Sequence, residues 1–155
     1  MRFWLMKSEP SAYSIDDLAR DKQTSWTGIR NYQARNYMTQ SMEVGDPILF
    51  YHSNATPPGV AGSMRVAKAA HPDPSQFDPK SEAYEPRAER AAPVWHCVGV
   101  EFTAKAKRVV SLDELRSVPE LAAMELLRKG SRLSIQPVEP EAFAVIAKLA
   151  GIPRR

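Results

Sequence analysis

The chain is defined first by what it lacks. It has one cysteine, Cys97, in 155 residues, which rules out an intramolecular disulfide and a cysteine-rich zinc site. Cys97 lies in the apolar run Val94-Trp95-His96-Cys97-Val98-Gly99-Val100, the setting of a buried, inert thiol rather than a nucleophile. The three histidines, His52, His71 and His96, are scattered without ligand spacing, so no metal is expected. No apolar run approaches the roughly 20 residues of a membrane span. The amino terminus opens on the strand-like Arg2-Phe3-Trp4-Leu5-Met6-Lys7 rather than on a secretion signal. A cytoplasmic protein with no membrane association is the expectation. Phosphate-cradling loops are missing too, since Gly59-Val60-Ala61-Gly62 is too short and leads into a strand. Ser8, Ser53 and Ser134 sit in no nucleophile-elbow pattern.

What remains is of ordinary globular composition. With 43% apolar and 25% charged residues, the 155-residue chain can bury one core and reads as a single domain over 1–155. Lys and Arg number 21 against 18 Asp and Glu, a net charge of +3; this permits an anionic partner without demanding one. Phe3 to Met6 reads as a strand covered on both faces, ended by Pro10. Ser14 caps a short helix with acids in its first turn, and Asn31 caps another from Tyr32 to about Gln40. Ile48 to Ser53 and Val60 to Ala67 read as strands, the second with small residues that permit close approach. His71 to Pro93 is polar and punctuated by five prolines, a length of loop that is functional or mobile.

Val94 to Ala104 returns to strand, and Ser111 opens a short capped helix. A further helix is expected from Glu120 to Lys129, then a half-buried strand from Arg132 to Val138 with Arg132 and Ser134 on one face. A last amphipathic helix runs from Glu141 to Ala150. Strands dispersed among short helices indicate an α+β fold with its sheet curled toward a barrel.

One stretch is poor core material. Ser25-Trp26-Thr27-Gly28-Ile29-Arg30-Asn31-Tyr32-Gln33-Ala34-Arg35-Asn36-Tyr37 sets aromatic rings, a glycine turn and two arginines among amides. Such groups stack on bases, read their edges and hold phosphate. They equally describe a packed turn followed by a solvated helix face. Tyr32, Arg35, Asn36 and Thr39 share one face of the second helix by spacing. His52-Ser53-Asn54 adds polar groups at a strand end, where pockets and ordinary strand caps both occur.

Several segments, in order, resemble the EVE domain, a member of the PUA-like superfamily related to the YTH and ASCH domains. They are Trp4-Leu5-Met6-Lys7-Ser8-Glu9-Pro10, Trp26 to Asn36, Gly45-Asp46 with Phe50-Tyr51-His52-Ser53, His71-Pro72-Asp73, Phe77-Asp78-Pro79, and Arg132 to Val138. The resemblance implies a PUA-like curled mixed β-barrel flanked by short helices. It also implies a pocket for a modified base such as methylated or hydroxymethylated cytosine in DNA, or methyladenine in RNA. By position, Trp26 would stack on the base, Ser8, Asn31 and Ser53 would bond its edge, and Arg35, Asn36 and Arg132 would hold the sugar-phosphate. Tyr32, His52 and Ser134 complete the candidate ligand set. Thr27 departs from the pattern by standing where many relatives carry Asp. The implied protein is a monomeric, cofactor-free binder of nucleic acid, acting with a nuclease or modification enzyme encoded elsewhere. The alternative is a hydrolase on RNA or a modified nucleoside, for which Glu9 and His52 are the available acid–base groups.

Overall fold

The computed structural model describes residues 1–155 and is organised by one sheet with an apolar cluster on each face. Its strands are β1 (Phe3–Ser8), β2 (Gln23–Ser25), β3 (Pro47–His52), β4 (Gly59–Pro72), β5 (His96–Ser111) and β6 (Ile135–Val138). They lie in the order β2-β5-β4-β3-β1-β6. β1 and β3 are parallel and every other pairing is antiparallel, giving the curled mixed sheet expected of an α+β chain.

Alternation along β1 and β3 assigns the faces. Trp4, Met6, Ile48 and Phe50 point into one cluster, which helices α1 (Ile15–Asp21) and α2 (Tyr32–Gln40) cover with Ile15, Leu18, Ala34 and Met38. Leu5, Leu49 and Tyr51 point into the other, covered by α4 (Pro140–Ala150) through Phe143, Ile146 and Ala147. The helix ends follow the expected chemistry. Ser14 forms a full capping box with Asp17, Asn31 Oδ1 accepts from the Ala34 N–H, and Gly151 closes α4 in the left-handed conformation. Ser111 caps α3 (Leu112–Arg116) by accepting from the Glu114 N–H. Asp46, buried, accepts from the Trp4 indole at 3.0 Å and the Glu43 N–H at 2.9 Å, fixing the turn into β3.

Three expectations are corrected. Glu120 to Lys129 is not a helix but two 3-10 turns, Pro119–Leu121 and Glu125–Leu127. Bonds from Met124 to Leu121 and from Leu127 to Met124 repeat at i→i+3, a tight path that seats both Leu121 and Leu126 in the second cluster. The strand expected from Arg132 begins only at Ile135; the chain before it is irregular and bends at Ser134, with the Gln136 side chain donating to the Leu133 carbonyl. Arg132 and Ser134 therefore share no strand face. β4 and β5 run past their expected ends, to Pro72 and Ser111, staying paired through several register shifts, while β2 is a short edge strand without any apolar alternation to announce it.

Small residues in β4 do bring the chains close. A Cβ on Gly62 would stand 2.5 Å from the Ala104 carbonyl oxygen and 2.7 Å from the Ile15 side chain. Gly62→Ala is expected to lower stability by about 1–3 kcal/mol through overpacking, read as a lower urea midpoint with an unchanged slope.

Candidate functional site

Where the parallel pair β1–β3 ends, the chain leaves Ser8 and His52 side by side in register. The Ser53 N–H donates to the Ser8 carbonyl at 3.0 Å, and the Lys7 N–H donates to the Ser134 carbonyl at 2.9 Å. These bonds draw Ser53 and Ser134 against the end of β1. Above it the loop before α1 turns back, with Ala12 and Tyr13 N–H groups both donating to the Glu9 carbonyl at 2.9 Å. Between this loop and the segment following β2 lies a cavity of about 350 Å³, lined by Lys7, Ser8, Ala12 and Tyr13 on one side and Thr24 to Ile29 on the other. That size falls in the roughly 300–1,000 Å³ range of small-molecule sites.

Two aromatic rings form its corner. Trp26 and Tyr13 stand at 89° with centroids 6.3 Å apart, and Trp26 also packs edge-on against Phe50 at 5.5 Å. Trp26 is only 7% exposed and belongs to the core cluster; its remaining accessible surface borders the cavity. Tyr13 is half-buried, and its hydroxyl donates to Asp21 at 2.9 Å. Burial and the Asp21 bond push the phenol up to about 12, so it stays protonated.

The far wall is held by a carboxylate. Trp26 N–H continues the β2–β5 ladder to the Val98 carbonyl, and the chain then turns at Gly28, whose φ of +88° suits glycine. The Gly28 N–H donates at 2.8 Å to Asp73, which is wholly buried. Asp73 also accepts from Ser75 N–H at 2.8 Å, Ser75 Oγ at 2.6 Å and Arg30 Nη1 at 3.1 Å. Burial alone would push its carboxyl up; the bonds from Ser75, Gly28 and Arg30 outweigh that and hold it below the ordinary range. Arg30 reaches on to the Ala83 carbonyl and Ser75 and lies over the Trp95 ring at 5.4 Å. Buried Gln76 donates to the Asp73 and Trp95 carbonyls and accepts from the Val94 and Trp95 N–H groups. Glu85 accepts from the Trp95 indole at 3.1 Å; its carboxyl is held down to about 2 by Arg87 and that indole bond. The long proline-rich segment is thus a built part of the site.

The other candidates divide into groups. Ser8 and Trp26 line the cavity. Asn31 and Arg132 line a neighbouring hollow of about 270 Å³ together with Arg128, Lys129 and Ser131. Tyr32, Arg35 and Asn36 form a cluster against the proline-rich segment instead. Arg35 donates to the Val94 carbonyl and twice to Asn36 Oδ1, and it stacks over Tyr32 at 4.7 Å, with Tyr32 tilted against Trp95 at 4.9 Å. His52 Nε2 accepts from the Ile15 N–H at 3.1 Å, and burial lowers its pKa, so it is a neutral acceptor at the start of α1. Glu9 accepts from the Asn54 amide. Cys97 is buried, and its thiol is pushed up to about 12.

Sequence reading did not find Tyr13, Ala12 or Asp73 as site residues. Tyr13 carries no local signal, since only the turn at Glu9 brings it over the cavity. Asp73 was legible as part of His71-Pro72-Asp73 but not as the partner of Gly28, 45 residues away. A larger open groove of about 700 Å³ lies beside β2, around Arg65, Lys68 and Glu101, with no aromatic side chain in its lining. The cavity at Trp26 combines two aromatic walls with hydroxyls.

Comparison with known proteins now decides the kinship. The model of the EVE domain family matches residues 2–149. The chain belongs to the EVE domain family. Human thymocyte nuclear protein 1 is 41% identical over 165 residues, an alignment covering 94% of this chain and 72% of that protein. A solved structure from Pseudomonas syringae superposes with a TM-score of 0.92 at 41% identity, covering 96% of this chain and 99% of its own. The human THYN1 protein, solved in complex with 5-methylcytosine-containing DNA, superposes at 0.90 with 37% identity, covering 99% of each chain. A YTH domain solved with N6-methyladenosine RNA shares the fold at a TM-score of 0.55 and 16% identity.

In this EVE domain the Asp73 carboxylate is expected to be the site's main support. Asp73→Asn should cost about 3 kcal/mol at pH 7, as removal of one partner from a buried charged pair does. The sign with pH follows from the lowered native pKa: the contribution is present above the ordinary value of 3.8 and is lost as pH falls through the native one. Urea titrations of both proteins from pH 7 to 3 should therefore show the gap closing in acid.

Proposed function

We propose that this EVE domain is a non-catalytic reader of a modified base in nucleic acid, with 5-substituted cytosine in DNA as the favoured ligand. The observation that carries the reading is the cavity cornered by Trp26 and Tyr13, in a fold whose human relative was solved with 5-methylcytosine-containing DNA. A flat heterocycle can lie against one ring and meet the edge of the other, while Ser8, Thr24 and Thr27 offer hydroxyls to its rim. Extruding a base from a duplex costs a few kcal/mol, and stacking on an aromatic side chain returns roughly 1–3 kcal/mol. The hollow at Asn31 supplies Lys129 and Arg132 as cations for the flanking phosphates, its Arg128 being paired with Glu125 at 3.5 Å. Arg35, committed to Val94, Asn36 and Tyr32, is better read as positioning α2. The two acid–base candidates favour binding over hydrolysis. His52 Nε2 is taken up by the Ile15 N–H and Glu9 by Asn54, so neither is presented to the cavity. Such a monomer would pass a recognised site to a nuclease or modification enzyme on another chain.

Titration of otherwise identical oligonucleotides carrying cytosine, 5-methylcytosine, 5-hydroxymethylcytosine or N6-methyladenine, as DNA and as RNA, tests this through tryptophan fluorescence. A modified cytosine should bind at least about tenfold more tightly than cytosine, and Tyr13→Ala and Trp26→Phe should narrow that ratio. Equal affinity for all bases would overturn the reading. Arg132→Gln should behave differently. It should weaken modified and unmodified sites alike and reduce the slope of log K against log salt by about 1.

A further inference from the structure

The hydrogen-bonding polarity at one point of the cavity, Ser8, is set before any ligand arrives. Ser8 Oγ lies 2.6 Å from the Tyr13 carbonyl oxygen, which can only accept, so the Ser8 hydroxyl proton is fixed on that bond. What Ser8 can offer a ligand is a lone pair. Several neighbouring groups are committed too: the Tyr13 hydroxyl donates to Asp21, the Trp26 backbone N–H to the Val98 carbonyl, the Thr27 backbone N–H to the Ser25 carbonyl and the Gly28 N–H to Asp73. Lys7, Thr24 and Thr27 keep side-chain donors in the lining, so the hydroxyl fixed as an acceptor is that of Ser8.

We infer that Ser8 Oγ is a specificity-determining acceptor that selects bases presenting an exocyclic amine to it over thymine and uracil, even when their ring and methyl group fit. Cytosine presents N4–H₂ and adenine N6–H₂ as donors, whereas thymine and uracil present the O4 acceptor at the corresponding edge. An acceptor facing O4 leaves both groups desolvated and unpaired, which a site built to bond an N–H rejects strongly. The inference rests on the proposed reader function and adds to it the class of base.

The test uses single-stranded oligonucleotides differing at one position: cytosine, 5-methylcytosine, thymine, and 5-methyl-2-pyrimidinone, in which hydrogen replaces only the amine. The wild-type protein should bind 5-methylcytosine about tenfold or more tightly than either thymine or the pyrimidinone, the scale of one buried hydrogen bond left unmade. Ser8→Ala should reduce both ratios to about threefold or less, and Ser8→Thr, which keeps the hydroxyl, should preserve them. Equal wild-type affinity for 5-methylcytosine and 5-methyl-2-pyrimidinone would overturn the role of the amine, a result that needs no variant to fold. Ratios unchanged in Ser8→Ala would overturn the assignment to Ser8. Loss of the 5-methylcytosine-to-cytosine preference, with the amine preference intact, would instead overturn the modified-base reading and leave this inference standing.

Discussion

The site depends on one buried negative charge. Asp73 has no access to solvent, and an ionised carboxylate in that position is tolerated only if donors surround it. Its donors come from two places: Ser75 beside it, and Gly28 and Arg30 from the segment carrying Trp26. The same bonds that make the charge tolerable therefore fix the turn after Trp26 and fasten the proline-rich segment to it. Gln76 closes the arrangement from behind by saturating four backbone groups of Asp73, Val94 and Trp95. Each of these polar groups is satisfied, and only a fully satisfied buried network adds rigidity rather than weakness.

The sheet decides where that rigid wall stands. Alternation along β1 and β3 sends Trp4, Met6 and Phe50 to one face and Leu5 and Tyr51 to the other, so Ser8 emerges at the end of the first row. Trp26 enters from β2 onto the same face and packs edge-on against Phe50. The cavity is thus an extension of the core cluster past the end of β1, where apolar floor gives way to hydroxyls. This explains how Trp26 can be a core residue and a site residue together: its burial fixes the ring whose margin the cavity uses.

Much of this was legible from local chemistry. Asn31 as the cap of a helix to Gln40, Ser14 as the cap of α1, and close approach at the glycines of β4 each follow from one residue type in one conformation. The Trp26 stretch reads equally as a packed turn and as ligand-binding material, and in the fold Trp26 is a core residue that also lines the cavity. What escaped notice depends on distant partners. Tyr13 meets Trp26 only through the fold, Asp73 acquires its meaning from Gly28, and Arg35 is drawn off by the Val94 carbonyl. The missed segment, Glu120 to Lys129, failed for a related reason. Burial of both Leu121 and Leu126 in the second cluster outweighed a modest helical preference.

Charge accounting bears on how such a site could discriminate. The net charge is only +3, and several cations are already paired within the chain: Arg20 with Asp17 and Asp21, Arg30 with Asp73, Arg65 with Glu101, Arg87 with Glu85, Lys105 with Asp16, Arg108 with Glu114 and Arg128 with Glu125. Non-specific attraction to phosphate grows with the excess of positive charge, so a net charge of only +3 means weak background binding. Weak background favours a reader, because the useful quantity is the ratio of specific to non-specific affinity across a large excess of ordinary sites. On the proposed reading, the cavity carries the discrimination, and the cations at Lys129 and Arg132 orient the strand beside it. A more basic surface would bind more nucleic acid and distinguish less of it.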